Sequence, residues 1–519
     1  MVVELKSYLC GEWKAGTGKA ATLSNPATGE ALAQASSAGL DLKAALAFAR
    51  EVGGPALRQL TFAQRGEILT KLATLMHKNR DALIELGVKN AGNTRGDAKF
   101  DVDGAAAVLA YYGEFAKTLP AKGHWIPDGG KLNLGISERF SGQHVWVPID
   151  GVAVHVNAYN FPAWGLMEKA ACSWLAGVPV LSKPATSTAL MAHRLAELVI
   201  DSGLLPRGAF SFLAGPAGDL MQHVDERDAV AFTGSSGTGA WMRSLEHVRE
   251  KSVRLNVEAD SLNAAILGPD AEAGSETFEL FVGDVFRDMT QKAGQKCTAI
   301  RRAFVPEGLL DAVREALCAR LAEVKIGDPA VDGVRMGPLA SHDALKTARE
   351  GLAKLEAAAK VAYRGAGPFL IKPGDEGKGA FLAPVLLEAA CDAPLGAINE
   401  IEVFGPVSTL IPYSEPCAMM TLVKQGGGGL VASVYSDDRK FLKDCVGAIA
   451  ASHGRLFLGS TKIAGQSPGP GTALSQLQHG GPGRAGGGCE LGGERGLFHN
   501  MQRVALEGYG PMLDFLTQG

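Results

Sequence analysis

The sequence predicts an α/β protein built on a doubly wound parallel sheet, and three observations carry that expectation. Short β-rich runs alternate with helical stretches from about residue 145 to 267, the pattern of successive βαβ units. The chain has 519 residues, which at about 150 residues per domain leaves room for two to four domains. Its apolar fraction of 46% and charged fraction of 20% are those of a globular protein with a real core.

In chain order, a Gly- and Thr-rich opening reads as strands, and Asp41 to Leu119 reads as mainly helical. Val145–Ile149 is a strand that its proline demotes to a sheet edge. Asp150-Gly151 is a two-residue hairpin signal, and Val152–Val156 is the returning strand. Val178–Ser182 is the next strand. Thr186 or Ser187 then caps a helix with Leu190, Leu195, Leu198 and Val199 on one face, ending near Gly203. Ala209–Leu213 is a strand, Gly218–Val224 a short helix, and Ala229–Phe232 a strand. A helix opens at Gly234, followed by strands at Val253–Val257 and Asn263–Leu267. A second α/β block runs from about Glu276 to residue 465, with strands near Arg302–Val305 and Leu430–Tyr435. Gly465 to Gly496 is dense in Gly, Pro and Ser and reads alone as loops. Gln502–Leu506 looks structured again, which a plain linker would not explain.

Charge and cysteine usage exclude several classes. With 51 basic and 55 acidic residues the net charge is −4, so the whole-chain balance gives no reason to expect nucleic acid or an anionic membrane as partner. No stretch has the length and apolarity of a membrane span, and the first residues lack the pattern of a secretory signal. Eight cysteines occur without C-x-x-C pairs or histidines at metal spacing. They are expected to be free thiols of a cytoplasmic protein, with no metal site.

Four places carry candidate chemistry. Phe232-Thr233-Gly234-Ser235-Ser236-Gly237-Thr238-Gly239 follows an apolar strand and opens a helix, so its N–H groups can face a pyrophosphate. A ligand-free βα turn fits it as well. Cys297, in Gly294-Gln295-Lys296-Cys297-Thr298, sits on a tight polar turn, where a partly exposed, electropositive setting would make a reactive thiolate. Glu258 ends an apolar strand; held against apolar neighbours its pKa would be raised and it would serve as a base. Asn160, in Asn160-Phe161-Pro162, offers a neutral amide for an oxyanion, although asparagine is also an ordinary turn residue.

Taken together and in this order, these pieces resemble the aldehyde dehydrogenase superfamily. Its successive motifs read here as Asn160-Phe161-Pro162, Lys183-Pro184, the 232–239 loop, Glu258, Gly294–Cys297 and Glu402-Val403-Phe404-Gly405-Pro406. Within it, Lys183-Pro184-Ala185-Thr186-Ser187-Thr188-Ala189 and His479-Gly480-Gly481-Pro482-Gly483-Arg484-Ala485-Gly486-Gly487-Gly488 are most similar to the dehydrogenase halves of phenylacetate-pathway ring-opening enzymes. Their stand-alone relatives in coenzyme-A-linked benzoate breakdown share these stretches. The second stretch turns the apparent linker into an active-site wall.

The resemblance implies an aldehyde dehydrogenase fold: a Rossmann-like cofactor domain over 1–140 and 159–268, a catalytic domain over 269–465, and a return to the cleft over 466–505. Residues 141–158, as a β-hairpin, and 506–519 would form the oligomerisation element of a homodimer. It implies hydrolytic oxidation of an aldehyde to an acid through a thiohemiacetal and thioester on Cys297, with Asn160 at the oxyanion and Glu258 activating water. Lys169 and Glu490 match proton-handling positions, and Glu168, near the substrate tunnel, is a departure from the wider pattern. Lys183, Thr186, Thr233, Gly234, Ser235, Gly239, Glu402 and Phe404 would hold the cofactor. Thr186 stands where relatives that prefer NAD often carry a Glu, which favours NADP, with NAD still possible. The implied substrate is a coenzyme A thioester, 3,4-dehydroadipyl-CoA semialdehyde. A medium-chain or aromatic aldehyde, a thiol-dependent acyltransferase or esterase without nicotinamide, and a silent scaffold are the alternatives. Cys489 is a second departure, since the relatives tend to be acidic there.

Overall fold

The structure is a computed structural model that describes residues 2–120, 123–137, 139–391 and 394–517. Five strands, Ala153–Val156, Val180–Lys183, Phe210–Phe212, Ala229–Thr233 and Arg254–Glu258, run parallel in one seven-stranded sheet. Numbered along the chain they lie in the order 5-4-1-2-3, so the order reverses between Ala153–Val156 and Ala229–Thr233. In an open parallel sheet the crevice at that reversal, beyond the carboxyl ends of the strands, is the natural ligand site. Ser7–Leu9 and Glu12–Lys14 continue the far edge antiparallel.

A second seven-stranded sheet is parallel except for its edge strand Lys360–Arg364. Its central strands Val407–Tyr413 and Gly429–Tyr435 are buried along their whole length, as continuous apolar runs covered on both faces must be. Helices Phe62–Lys78 and Arg95–Phe115 pack over the first sheet together with Trp164–Ala176. Thr61 and Gln64 form a capping box at the start of the first, and Thr94 caps the second.

Three sequence expectations need correction. Phe140–Pro148 does not turn back onto Ala153–Val156. It pairs with Met501–Tyr509 and Ile126–Asn133 in a separate three-stranded sheet, as the central strand and not an edge; Pro148 is its last residue. Val152 and Val154 are fully buried in the first sheet's core, so burial of that apolar run overrides the Asp150-Gly151 turn signal. Second, Ala264–Leu267 pairs with Arg302–Pro306 and Gly429–Tyr435, so the chain changes sheets between residues 258 and 264 and not at 268. Third, neither Thr186 nor Ser187 caps Ala189–Asp201. They lie in a 3-10 turn, and Thr188, the residue before the helix, donates its hydroxyl to Tyr159 O at 2.9 Å. Of the expected 506–519 element, 518 and 519 lie outside the described residues.

The Gly-rich tail is a packed structure. Gln478–Gly481 and Gly488–Leu491 form an antiparallel ribbon, and Ala259 N donates to Ala485 O at 3.0 Å. Gly486 has φ +103°, and a Cβ there would lie 2.2 Å from Val257 O. Only a residue without a side chain lets these two backbones meet. Gly486→Ala should therefore destabilise the protein by about 2–4 kcal/mol through backbone strain and overlap, read as a lower Tm. Gly447→Ala, in a helix with nothing within 4 Å of its Cβ position, should be neutral or stabilising by up to ~1 kcal/mol.

Candidate active site

The candidate site is assembled at strand ends. Thr233 and Glu258 are register partners at the last positions of their strands, as are Val156 and Lys183. The loop that carries Cys297 arrives from the helix Glu276–Thr290. Lys292, Ala293 and Gly294 are successively left-handed, at φ 54°, 52° and 70°, a conformation that costs roughly 1–2 kcal/mol at each non-glycine position. Surrounding contacts hold it. A Cβ on Gly294 would lie 2.1 Å from Gly405 O. Arg301 donates to Gly405 O and Gly294 O at 2.8 and 2.9 Å. Gln295 donates to Lys292 O and accepts from Ala340 N, both at 3.0 Å. Asn263 Nδ2 donates to Cys297 O at 2.7 Å.

Cys297 lies in a cleft of about 520 Å³ with Asn160, Glu168, Lys169, Thr233, Glu258 and His479, walled on one side by Phe100, Phe161 and Trp164. His479 Nε2 stands 3.8 Å from Cys297 Sγ and 3.2 Å from Glu258 Oε2. One ring nitrogen thus faces both sulfur and carboxylate: unprotonated it can accept the thiol proton, and once protonated it can donate to the Glu258 carboxylate. Asn160 Nδ2 donates to Gln295 O at 3.0 Å, which leaves its second amide hydrogen for an oxygen in the cleft.

The charges of the cluster differ from the sequence expectation. Burial alone would raise the Glu258 carboxyl, but the His479 ring and the Lys169 ammonium outweigh it and hold the group down to about 2. Glu258 is therefore an ionised carboxylate in a charged setting, and not a raised one against apolar neighbours. Burial and the Glu258 charge push the Cys297 thiol well up, so its turn is not electropositive. Lys296, the expected positive neighbour, is paired with Asp288 and Gln291 at 2.5 and 2.9 Å. Burial lowers His479, yet the Glu258 carboxylate raises it further, for a net rise.

Behind this cluster, Lys169 Nζ lies 3.3 Å from Glu168 Oε1 and 3.1 Å from Glu490 Oε2, and Asn256 Nδ2 donates to Glu490 Oε1 at 3.0 Å. Burial raises Glu168 to about 7, against the lowering pull of Lys169. Burial lowers Lys169, but Glu490, Glu168 and Glu258 together raise it to a net increase. Glu168 and Lys169 also line a second cavity of about 310 Å³ with Cys489, Glu490 and Asn256. Cys489 itself is exposed.

The residues at the switch-point crevice suit a dinucleotide. Thr233 Oγ1 is buried without a hydrogen-bond partner, and Glu402 Oε1 makes no hydrogen bond but lies 3.5 Å from Arg301 Nε. Ser235 caps the helix Ser236–Ser244 through Thr238 N at 3.3 Å, and Ser236 N donates to Asp260 Oδ1 at 3.1 Å, which leaves Gly237 N as the uncapped one of that helix's first three N–H groups. Gly234 and Gly239 keep the turn close, with Cβ positions 2.5 Å from the Phe232 ring and 2.9 Å from Val257 Cγ1. Glu402 Oε2 accepts from Ser261 N at 3.0 Å, and burial raises its carboxyl to about 7. Burial lowers the Lys183 ammonium to about 8. Phe404 meets Tyr159 edge-on at 5.9 Å, and Thr186 is half-buried in its 3-10 turn.

Sequence reasoning placed these residues but gave His479 no role. The available signal was register: His479 is the cross-strand partner of Glu490, so one ribbon carries both. The donor atoms of Glu258, Cys297 and His479 fall within 4.8 Å of one another, a clustering by which they could hold a metal ion and which cysteine spacing could not reveal.

The aldehyde dehydrogenase family profile matches residues 13–498. The chain belongs to the aldehyde dehydrogenase family. It is 45% identical over 482 residues to the 3,4-dehydroadipyl-CoA semialdehyde dehydrogenase of Aromatoleum evansii, covering 92% of this chain and 93% of the relative. It is 29% identical over 441 residues to an NADP(+) succinate-semialdehyde dehydrogenase of Escherichia coli, covering 83% and 85%. Among solved structures, the lactaldehyde dehydrogenase of Escherichia coli superposes with a TM-score of 0.83 at 22% identity over 98% of this chain and 99% of that one. A betaine aldehyde dehydrogenase of Staphylococcus aureus with NAD+ gives 0.83 at 22% identity over 98% and 95%. These two likenesses bear on the fold, an aldehyde dehydrogenase fold with mixed α/β sheets. The chain is an NAD(P)-dependent aldehyde dehydrogenase.

If Glu168 must be ionised for turnover, kcat rises as pH passes upward through about 7. Glu168→Gln should remove that limb and lower kcat about tenfold or more; an unchanged profile would show that Glu168 handles no proton.

Proposed function

We propose that this dehydrogenase oxidises 3,4-dehydroadipyl-CoA semialdehyde to its acid in benzoate catabolism, in the cytoplasm, with NADP as preferred acceptor. The observation that carries the chemistry is the Cys297–His479–Glu258 cluster beside Asn160. The substrate rests on the 45% identity to the Aromatoleum evansii enzyme over nearly the whole of both chains.

His479 Nε2 takes the Cys297 proton, its positive form stabilised by Glu258, and the thiolate adds to the aldehyde carbon. The free hydrogen of Asn160 Nδ2 and the backbone N–H of Cys297 meet the resulting oxyanion. Lys183, Thr186, Thr233, Gly234, Ser235, Gly239, Glu402 and Phe404 hold the nicotinamide dinucleotide, which when bound supplies the acceptor for the hydride of that carbon. The acyl group remains as a thioester on Cys297, and Glu258 draws a proton from the water that hydrolyses it. Lys169, between Glu168 and Glu490 and shared by two cavities, leads that proton away from the cleft. Thr186 puts no carboxylate where one would repel a 2′-phosphate.

A second reading keeps the chemistry and replaces the substrate with a medium-chain or aromatic aldehyde. The mutually edge-on Phe100, Phe161 and Trp164, with ring centroids 5.2–6.0 Å apart, favour it. Such a wall accepts a flat or extended apolar group.

The three-stranded sheet and its helix Gly510–Thr517 expose Leu132, Leu134, Ile136, Phe140, Tyr509, Met512, Phe515 and Leu516. An apolar face of this kind beside two open strand edges is covered in a homodimer.

In assays of reduced nicotinamide formation, kcat/KM with NADP should exceed that with NAD, and the reverse would refute the Thr186 argument. Cys297→Ala should lower kcat about 10³-fold or more. The semialdehyde thioester should be turned over with a higher kcat/KM than medium-chain or aromatic aldehydes; the opposite ranking supports the second reading. Light scattering at micromolar concentration should give at least twice the 54.1 kDa of one chain, and Phe515→Glu with Met512→Glu should shift it toward the single-chain mass.

A further inference from the structure

Against Phe161, one of the residues that line the cleft, lies a buried lysine that the mechanism above does not use. Lys292 is 3% exposed and sits in the left-handed turn five residues before Cys297. Its ammonium stands 4.5 Å from the centre of the Phe161 ring and donates to Asn93 Oδ1 at 3.2 Å. Its backbone N–H bonds the buried Asp97 carboxylate. Asp101, fully buried and acting on Lys292 through its charge, accepts from Ala163 N and Trp164 N at 3.3 and 2.8 Å. It thereby caps the start of the helix Trp164–Ala176.

These contacts converge on one spacing. Phe161 is the residue after Asn160 and lines the cleft. On the other side of the gap, Lys292 and Gln295 belong to the loop of Cys297. The Asn160 amide crosses the gap to Gln295 O, and the Lys292 ammonium crosses it to the Phe161 ring face. A cation over an aromatic face holds most strongly when desolvated, and Lys292 is buried. A Met side chain, unbranched and one atom shorter, would fill most of the space without that attraction, and would leave Asp97 and Asp101 without their cation.

We propose that Lys292 is a positioning residue for the oxyanion site: its ammonium clamps Phe161, and with it Asn160, at a fixed distance from the loop bearing Cys297. The proposal rests on the roles given above to Cys297 and Asn160. It acts through Asn160, so its effect must depend on that residue being present.

The test is a double-mutant cycle of Lys292→Met and Asn160→Ala in the full-length protein, reading kcat and KM for the aldehyde and the Kd of NADP by quenching of protein fluorescence. In the otherwise native chain, Lys292→Met should lower kcat at least tenfold and leave the NADP Kd within twofold. In the Asn160→Ala background it should lower kcat less than threefold further, because the group it positions is gone. A purely structural role would give the same loss in both backgrounds, and that additive result, or a native kcat in Lys292→Met, overturns the proposal. Should Lys292→Met fail to fold, Asn93→Ala is carried through the same cycle. It should give a three- to tenfold loss that disappears without Asn160, and an additive loss overturns the proposal again. Cys297→Ala is run alongside: activity retained in that variant overturns both the site assignment and this inference, whereas its loss with additive cycles overturns the inference alone.

Discussion

The backbone of residues 478–491 lies directly against the end of the strand Arg254–Glu258, and the arrangement of the site depends on that contact. Ala259 N bonds Ala485 O, Gly486 approaches Val257 O, and a Cβ on Gly488 would lie 2.4 Å from the same oxygen. Because these residues lack side chains, the ribbon sits close enough to place His479 between Glu258 and Cys297. The same ribbon places Glu490, the cross-strand partner of His479, under Lys169. Displacing the ribbon by one side-chain thickness would separate His479 from Glu258 and Cys297, and Glu490 from Lys169.

Once they are held together, their surroundings shift two carboxylates in opposite directions. Glu258 faces His479 and Lys169 and is held near 2, whereas burial outweighs Lys169 at Glu168, which rises to about 7. Pairs of like groups driven apart in this way mark acid–base assignments. Lys169 joins them, raised because three carboxylates surround it. The Cys297 thiol is pushed up by burial and the same negative surroundings, and His479 Nε2 stands 3.8 Å from its sulfur.

Much of this was legible in the residues. The five parallel strands and the loops at their carboxyl ends follow from apolar runs punctuated by glycine and asparagine, and the ordered motifs from Asn160 to Pro406 identified the family. What pattern could not carry was long-range pairing. Phe140–Pro148 takes its partner from residues 501–509, more than 350 positions away, so the local turn signal of Asp150-Gly151 pointed to the wrong strand. The setting of Cys297 was misjudged for a related reason. Lys296 is adjacent in sequence but its charge goes to Asp288, and the groups that govern the thiol arrive from residues 258 and 479. Lys292 likewise carries no signal in the sequence; only the fold sets its ammonium over the Phe161 ring.

The most direct test of this account is to trap the acyl-enzyme. Glu258→Gln should still form the thioester but lose the carboxylate that activates water, so mixing it with NADP and aldehyde should give a burst of about one reduced nicotinamide per chain. Intact-mass spectrometry should then show the acyl group added to the protein, mapped by digestion to the peptide containing Cys297. Steady turnover in that variant at the native rate, or a burst without any adduct on Cys297, would contradict it.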